Sequence, residues 1–259
     1  MEVVIDTPEV RAGIAADAVE ALVRSRPDAV LGLATGSSPL AVYDELARRH
    51  AAGLSFAQAR GFLLDEYVGL PPGHPEGYRT VIEREVVSRL DLRSEAVLGP
   101  DGAADDLAAA CARYEASISA AGGVDLQILG IGTDGHVAFN EPGSSLASRT
   151  RVKTLTEQTR KDNARFFGGD VSAVPRHVLT QGLGTILQAR HLVLVASGRH
   201  KAEAVHQLVE GPVSAMWPAT VLQLHPHVTV LVDEPAASRL QLAGYYRETW
   251  RSKPGWQGL

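Results

Sequence analysis

The sequence predicts a single α/β domain with a mostly parallel central sheet and helices on both faces. Three observations predict it. Short apolar runs close on glycine or polar residues and lead into amphipathic stretches, the alternation that builds parallel sheets. The runs are continuously apolar rather than alternating, as strands buried on both faces require. The 259 residues, 45% hydrophobic and 21% charged, suffice for one large core. The pattern is that of an open three-layer, Rossmann-like fold spanning residues 1–259.

The elements follow in order. VLGLATGSS reads as a buried strand and its turn, and PLAVYDELARRHAAG as the helix after it. GFLLDEYVGL reads as one buried strand. DDLAAACARYEASI reads as a helix, with Cys111 as a small buried apolar residue. VDLQILGIG is the next strand. LVLVASG with RHKAEAVHQLVEG repeats the strand–turn–helix unit, and VTVLVDEP is the last strand. Residues 150–175, TRVKTLTEQTRKDNARFFGGDVSAVP, break the pattern: they are polar, basic and bounded by glycine and proline. They read either as a solvated helix or as a mobile lid carrying cations over a site. In a parallel sheet, ligands bind beyond the carboxyl ends of the strands, so the residues that close each apolar run are the place to search.

Composition excludes several function classes. The net charge is −5, which supplies no field for nucleic acid or anionic lipid. No segment has the roughly 20 apolar residues of a membrane helix, and MEVVIDTPEVRAG lacks the basic-then-apolar pattern of a signal peptide. A single cysteine forms no intramolecular disulfide. Together these predict a cytoplasmic protein.

Four constellations carry chemistry. In LATGSSP, Thr35, Gly36, Ser37 and Ser38 lie between a strand and a helix. There they form either a plain N-cap turn or an anion site of hydroxyls and free N–H groups. Asp65 and Glu66 follow an apolar run. Each is either a solvated loop acid or, if burial raises its pKa, a base able to take a proton from a carbon beside a carbonyl. GIGTDGHVAFNEPGSS matches G-x-G-x-x-G from Gly130 to Gly135, with Glu157 downstream. A dinucleotide site is rejected, because Pro142 and Gly143 stop the helix that the fingerprint needs. A histidine flanked by acids, His136 between Asp134 and Glu141, suits a proton shuttle instead; the bland reading is a core histidine with incidental acids. No metal site is expected, since His136 has no second histidine or cysteine at helical ligand spacing. Finally, Arg165 in the suspected lid and Lys201 at a helix start are either surface charges or phosphate contacts.

Combined, LDEYVGLP, GIGTDGHVAFNEPGSSLASRTRVKTLT, DNARFF, VPRHVLTQGLGTIL and MWPATVLQLHPHVTVLVDEP resemble the glucosamine-6-phosphate deaminases almost end to end. The resemblance implies isomerisation of glucosamine 6-phosphate and its deamination to fructose 6-phosphate and ammonia, with no metal, flavin or nicotinamide. It implies Asp65 as the base between carbons 2 and 1, His136 as the residue that opens the sugar ring, and Asp134 and Glu141 as the acids that tune it. It implies Thr35, Gly36, Ser37, Ser38, Arg165 and Lys201 as phosphate and sugar contacts, Gly130 beside the substrate, and a mobile lid at about 155–178. Some members are hexamers activated by N-acetylglucosamine 6-phosphate; others are monomers without such control. Ser144, Ser145, Arg151 and Lys153 match the hexamers' effector pattern, to which a free Met1 amino group, at the head of a short leader before the first strand, would contribute. The C-terminus YYRETWRSKPGWQGL departs from the family, and Tyr245 or Tyr246 stands in for its effector-contacting tyrosine. TGSSP also departs from the TGGTP of some members, placing a side chain at Ser37. Two other readings remain: a 6-phosphogluconolactonase-like hydrolase, which needs no base placed like Asp65, and a non-enzymatic sugar-phosphate sensor, for which the chain has no spare helix-turn-helix.

Overall fold

The computed structural model describes residues 1–259. The strands are β1 (Glu2–Ile5), β2 (Val30–Leu33), β3 (Arg60–Leu63), β4 (Asp65–Tyr67), β5 (Val97–Leu98), β6 (Leu126–Leu129), β7 (Arg151–Thr154), β8 (His177–Thr180), β9 (His191–Ala196) and β10 (Val228–Val232). The helices are α1 (Pro8–Ser25), α2 (Leu40–Ala51), α3 (Tyr78–Glu85), α4 (Leu107–Ala120), α5 (Glu157–Asn163), α6 (Leu183–Ile186), α7 (Ala202–Glu210) and α8 (Ala243–Arg251). Their starts follow local chemistry. Thr7 accepts the Val10 amide ahead of Pro8 at α1, and Asp106 accepts the Ala109 amide at α4.

Seven strands form one sheet in the order β1-β10-β9-β6-β2-β3-β5, and every pairing in it is parallel. Helices flank the sheet, as predicted. β9 and β10 are buried at every position, which is why their sequences are apolar except for His191 and Thr229, whose side chains hydrogen bond each other. From β2 the chain steps outward to β3 and β5, then returns beside β2 as β6 and proceeds the other way. The order therefore reverses between β2 and β6, which places a crevice beyond their carboxyl ends. At that seam the buried Gln127 side chain lies over Gly32, where a Cβ would come within 2.0 Å of it.

Three expectations change. GFLLDEYVGL is two strands, not one. The Leu64 amide makes the last bond to β2, through Leu33 O, while Leu64 O accepts from the Gln181 amide. The chain thus changes partner at Leu64, and β4 enters a second, antiparallel sheet ordered β4-β8-β7. The supposed leader is itself strand β1, and Met1 lies at the amino edge of the sheet, away from the carboxyl ends. Residues 150–175 begin as β7, because Arg151 to Thr154 pair with His177 to Thr180; helix starts only at Glu157. No helix is long and apolar enough to cross a membrane.

Candidate active site

The loops after β2 and β6 meet at the switch point. Gly130 follows β6, and a Cβ there would sit 3.9 Å from the Ser38 side chain. After β2, Gly36 holds φ +93°, a conformation that glycine adopts without penalty. Tyr43, buried on α2, fixes the root of this loop by hydrogen bonding both the amide and the carbonyl of Ala34. Pro39 stands at the N-cap of α2 rather than inside its first turn. Thr35, Gly36 and Ser38 are half-buried and Ser37 is exposed, so the turn is open to solvent beyond the carboxyl end of β2.

The loop after β6 cradles a histidine. A Cβ on Gly132 would lie 2.3 Å from the His136 ring, so only glycine leaves room for the imidazole. Gly135, at φ +80°, backs onto Trp217. Two residues beyond the histidine, Ala138 holds φ 52°, a left-handed conformation costly for a residue with a side chain. His136 Nδ1 lies 2.7 Å from Asp134 Oδ1 and 3.7 Å from Glu141 Oε2. Burial alone would lower the pKa of this imidazole, but the two carboxylates outweigh it and push it up to about 9. Burial raises the Asp134 carboxyl, yet His136 pulls it well below the usual carboxylate range. Glu141 is 2% exposed; its Oε1 accepts the Thr156 amide and its Oε2 has no hydrogen-bond partner. The three ligand atoms lie within 4.8 Å of one another, a spacing that a metal ion would also accept.

Asp65 and Glu66 part ways because adjacent strand residues point to opposite faces. Glu66 turns to the start of α3 and accepts the amides of Tyr67, Tyr78 and Arg79, so it anchors a helix N-terminus. Asp65 is 6% exposed, and no protein donor hydrogen bonds its carboxylate. Burial first, and then the Glu66 charge, push its pKa up to about 8, against the pull of His136. A buried carboxylate with free lone pairs, within the field of a half-buried imidazole, can take and return a proton.

The cations converge from two sides. Burial pulls the Lys201 ammonium below its ordinary pKa; nearby Asp162 and Asp134 oppose this and Arg165 adds to it. Lys201 therefore lies within the fields of both Asp134 and the segment after β7. Arg165 is exposed and stacks its guanidinium over Phe166, 4.7 Å from the ring centroid. The segment carrying it packs by Phe167 on Tyr67 and His74, and its Asn163 donates to the Tyr67 hydroxyl. Its root is tied to the shuttle, because Thr156 both caps α5 and donates its amide to Glu141.

Of the residues matching the effector pattern, Arg151 and Lys153 share one face of β7. Arg151 Nη1 donates to the buried Asn140 side chain, and its Nη2 is buried without a partner. The Lys153 pKa is lowered by burial and by Arg151 and raised by Glu141, so the pair adjoins the shuttle. Ser144 is elsewhere engaged: its buried hydroxyl donates to the Glu141 carbonyl. Ser145 is exposed. Tyr246 donates to Glu210, whereas Tyr245 is exposed.

Sequence reasoning missed Gly132, Tyr43, Thr156, Asn163 and Tyr67 as parts of the site. Only Thr156 left a signal, since a threonine followed by Glu157 and a polar helix is an N-cap pattern. Asn163 and Tyr67 depend on an approach between distant segments, and Gly132 and Tyr43 on the path their own loops take.

The model of the family "Glucosamine-6-phosphate isomerases/6-phosphogluconolactonase" matches residues 8–231. A glucosamine-6-phosphate deaminase of Mycolicibacterium smegmatis is 72% identical over the whole of both chains. A solved monomeric glucosamine-6-phosphate deaminase superposes with TM-score 0.89 at 44% identity, covering 92% of this chain and 99% of the other. The 6-phosphogluconolactonase of Trypanosoma cruzi shares the fold with TM-score 0.74 at 20% identity, over 93% and 97% of the two chains.

Proposed function

The chain belongs to the family of glucosamine-6-phosphate isomerases and 6-phosphogluconolactonases, and we propose that within it the chain isomerises and deaminates glucosamine 6-phosphate. The products are fructose 6-phosphate and ammonia. The carrying observation is Asp65, a buried carboxylate without a protein donor in the field of the His136 shuttle. A lactonase, which adds water to an ester, needs no base at that place.

The residues divide the work as follows. The turn Thr35–Ser38 with Arg165 and Lys201 anchors the phosphate, and Gly130 lets the sugar approach the backbone. His136 takes the anomeric hydroxyl proton and returns it to the ring oxygen, opening the ring. Asp134 and Glu141 hold the imidazole and stabilise its charged form. Asp65 removes the proton from carbon 2 of the aldehyde while the substrate ammonium gives one of its protons to oxygen 1, and Asp65 then delivers the carbon-2 proton to carbon 1. Carbon 2 is left as an iminium, which water hydrolyses to the ketone with release of ammonia. Each positioned acid or base contributes about 10²–10⁴-fold. The 155–178 segment, rooted on Glu141 through Thr156, acts as the lid that excludes water.

The finer parts of this reading are a hexamer and activation by N-acetylglucosamine 6-phosphate, supported by the adjoining Arg151 and Lys153. The solved monomeric deaminase marks the other arrangement open to this fold. The cytoplasm is the place of action, in keeping with one free, buried cysteine.

Ammonia release from glucosamine 6-phosphate is the direct test. Release is expected, unaffected by chelators, with a sigmoidal saturation curve that N-acetylglucosamine 6-phosphate makes hyperbolic. A curve indifferent to that compound would withdraw the effector role of Arg151 and Lys153 and leave the chemistry standing. Absence of ammonia would move the assignment to lactone hydrolysis. Inactivation reversed by one divalent ion would turn Asp134, His136 and Glu141 into metal ligands.

The pH profile has a definite sign. Asp65 must be ionised to act, and its pKa is near 8. His136 starts ring opening as neutral imidazole, and its pKa is near 9. Both requirements are met as pH rises. The ratio kcat/KM should therefore climb through pH 7 to 9 and level off above that, by about tenfold per unit where one group limits. A profile that is flat or falling over this range contradicts the assignment of both groups.

A further inference from the structure

Arg11 lies on α1, outside the segments that build the site, yet it is 2% exposed. A buried guanidinium is costly unless its donors are used. Here they gather the carboxyl ends of three strands. Nε donates to Asp6 O, just after β1, and Nη1 to Ala196 O and to Ser197 Oγ, at the end of β9. Nη2 lies 3.8 Å from Asp233 Oδ2, just after β10. Asp233 in turn accepts the Gly198 amide on both oxygens, each at 3.0 Å, and the Ala236 amide at 2.8 Å. Gly198 sits at φ +89°, and its carbonyl accepts the Lys201 amide at 3.0 Å. The chain of contacts is continuous: Arg11 grips residues 196 and 197, Asp233 grips 198, and 198 grips 201.

We infer that Arg11 and Asp233 are positioning residues that fix the turn presenting Lys201 to the substrate phosphate. This rests on the reading of Lys201 as a phosphate contact. Lysine binds phosphate as a point charge on a flexible stem, so its grip depends on where its backbone is held. An unbraced turn would pay for ordering at each binding event.

The test is competitive inhibition by inorganic phosphate, with steady-state kinetics, on Lys201→Ala, Asp233→Ala and the double variant. Lys201→Ala should raise the inhibition constant and KM by tenfold or more, on the order of one lost charge-assisted contact. Asp233→Ala should raise both by about tenfold and change kcat by less than about threefold. The double variant should bind phosphate no more weakly than Lys201→Ala alone, because Asp233 acts through the lysine. Asp233→Asn, which keeps an oxygen for the Gly198 amide, should restore binding to within about threefold; it also serves if the alanine variant does not fold. A mere structural staple would lower Tm and leave the inhibition constant unmoved. Additive losses, or an unchanged constant in a folded Asp233→Ala protein whose Lys201→Ala counterpart is weakened, would overturn the inference. An unchanged constant in Lys201→Ala would instead remove the reading of Lys201, and the inference with it.

Discussion

Replacing Asp65 with asparagine is expected to lower kcat by at least about 10³-fold while KM changes little. The variant keeps the size and burial of the side chain but cannot accept the carbon-2 proton. Exchange of that proton with solvent deuterium should stop as well, which separates loss of proton abstraction from loss of any later step. The same substitution should stabilise the protein. Burial lifts the Asp65 pKa from its ordinary 3.8 to about 8, so the folded state holds a proton that the unfolded state releases. Folding stability is then fully present below pH 4 and is lost as pH rises toward 8. Asparagine carries no such penalty, so the gain grows over that window and reaches a few kcal/mol at pH 8. At about 2–4 °C per kcal/mol for a chain of this size, Tm should rise by several degrees at pH 8 and hardly at all at pH 4. Retained turnover would remove Asp65 as the base. A Tm that falls equally at both pH values would contradict the raised pKa.

The second large effect falls on His136. His136→Gln keeps a hydrogen-bonding side chain between Asp134 and Glu141 but cannot carry a proton. With cyclic substrate, kcat should fall by about 10²–10³-fold, with a smaller change in phosphate inhibition. An open-chain analogue bypasses ring opening, so its turnover should stay near the unaltered rate. An equal loss with the open-chain analogue would move His136 from ring opening into the isomerisation itself. The outcome also bears on Glu141, whose Oε2 faces the ring at 3.7 Å with no other partner. Without a chargeable ring, that carboxylate becomes an unpaired buried charge. Its other oxygen accepts from Thr156, so the 155–178 segment should loosen as well. Faster amide exchange at Thr156 in the variant would report it.

The sequence by itself determined the parallel sheet and the neighbourhood of the site. Strands buried on both faces are predominantly apolar, so VLGL, LQIL, HLVLVA and VTVLV were legible as core strands. The polar and glycine residues that close these runs fall at carboxyl ends, where a switch point puts ligands. His136 with Asp134 and Glu141 was legible because these acids are near neighbours in the chain.

Tertiary structure alone decided the rest. Asp65 and Glu66 are adjacent and chemically alike. Only the change of partner at Leu64, from β2 to β8, buries one as a free carboxylate and turns the other onto the amides of α3. The shift of the Asp65 pKa comes from burial, which no local pattern encodes. The need for glycine at position 132 arises from the space claimed by the His136 ring, and the fixing of Lys201 from a guanidinium 190 residues earlier. Periodicity and spacing record what a residue does to its own segment. Burial, field and close approach are properties of segments brought together, and they exist only once the chain has folded.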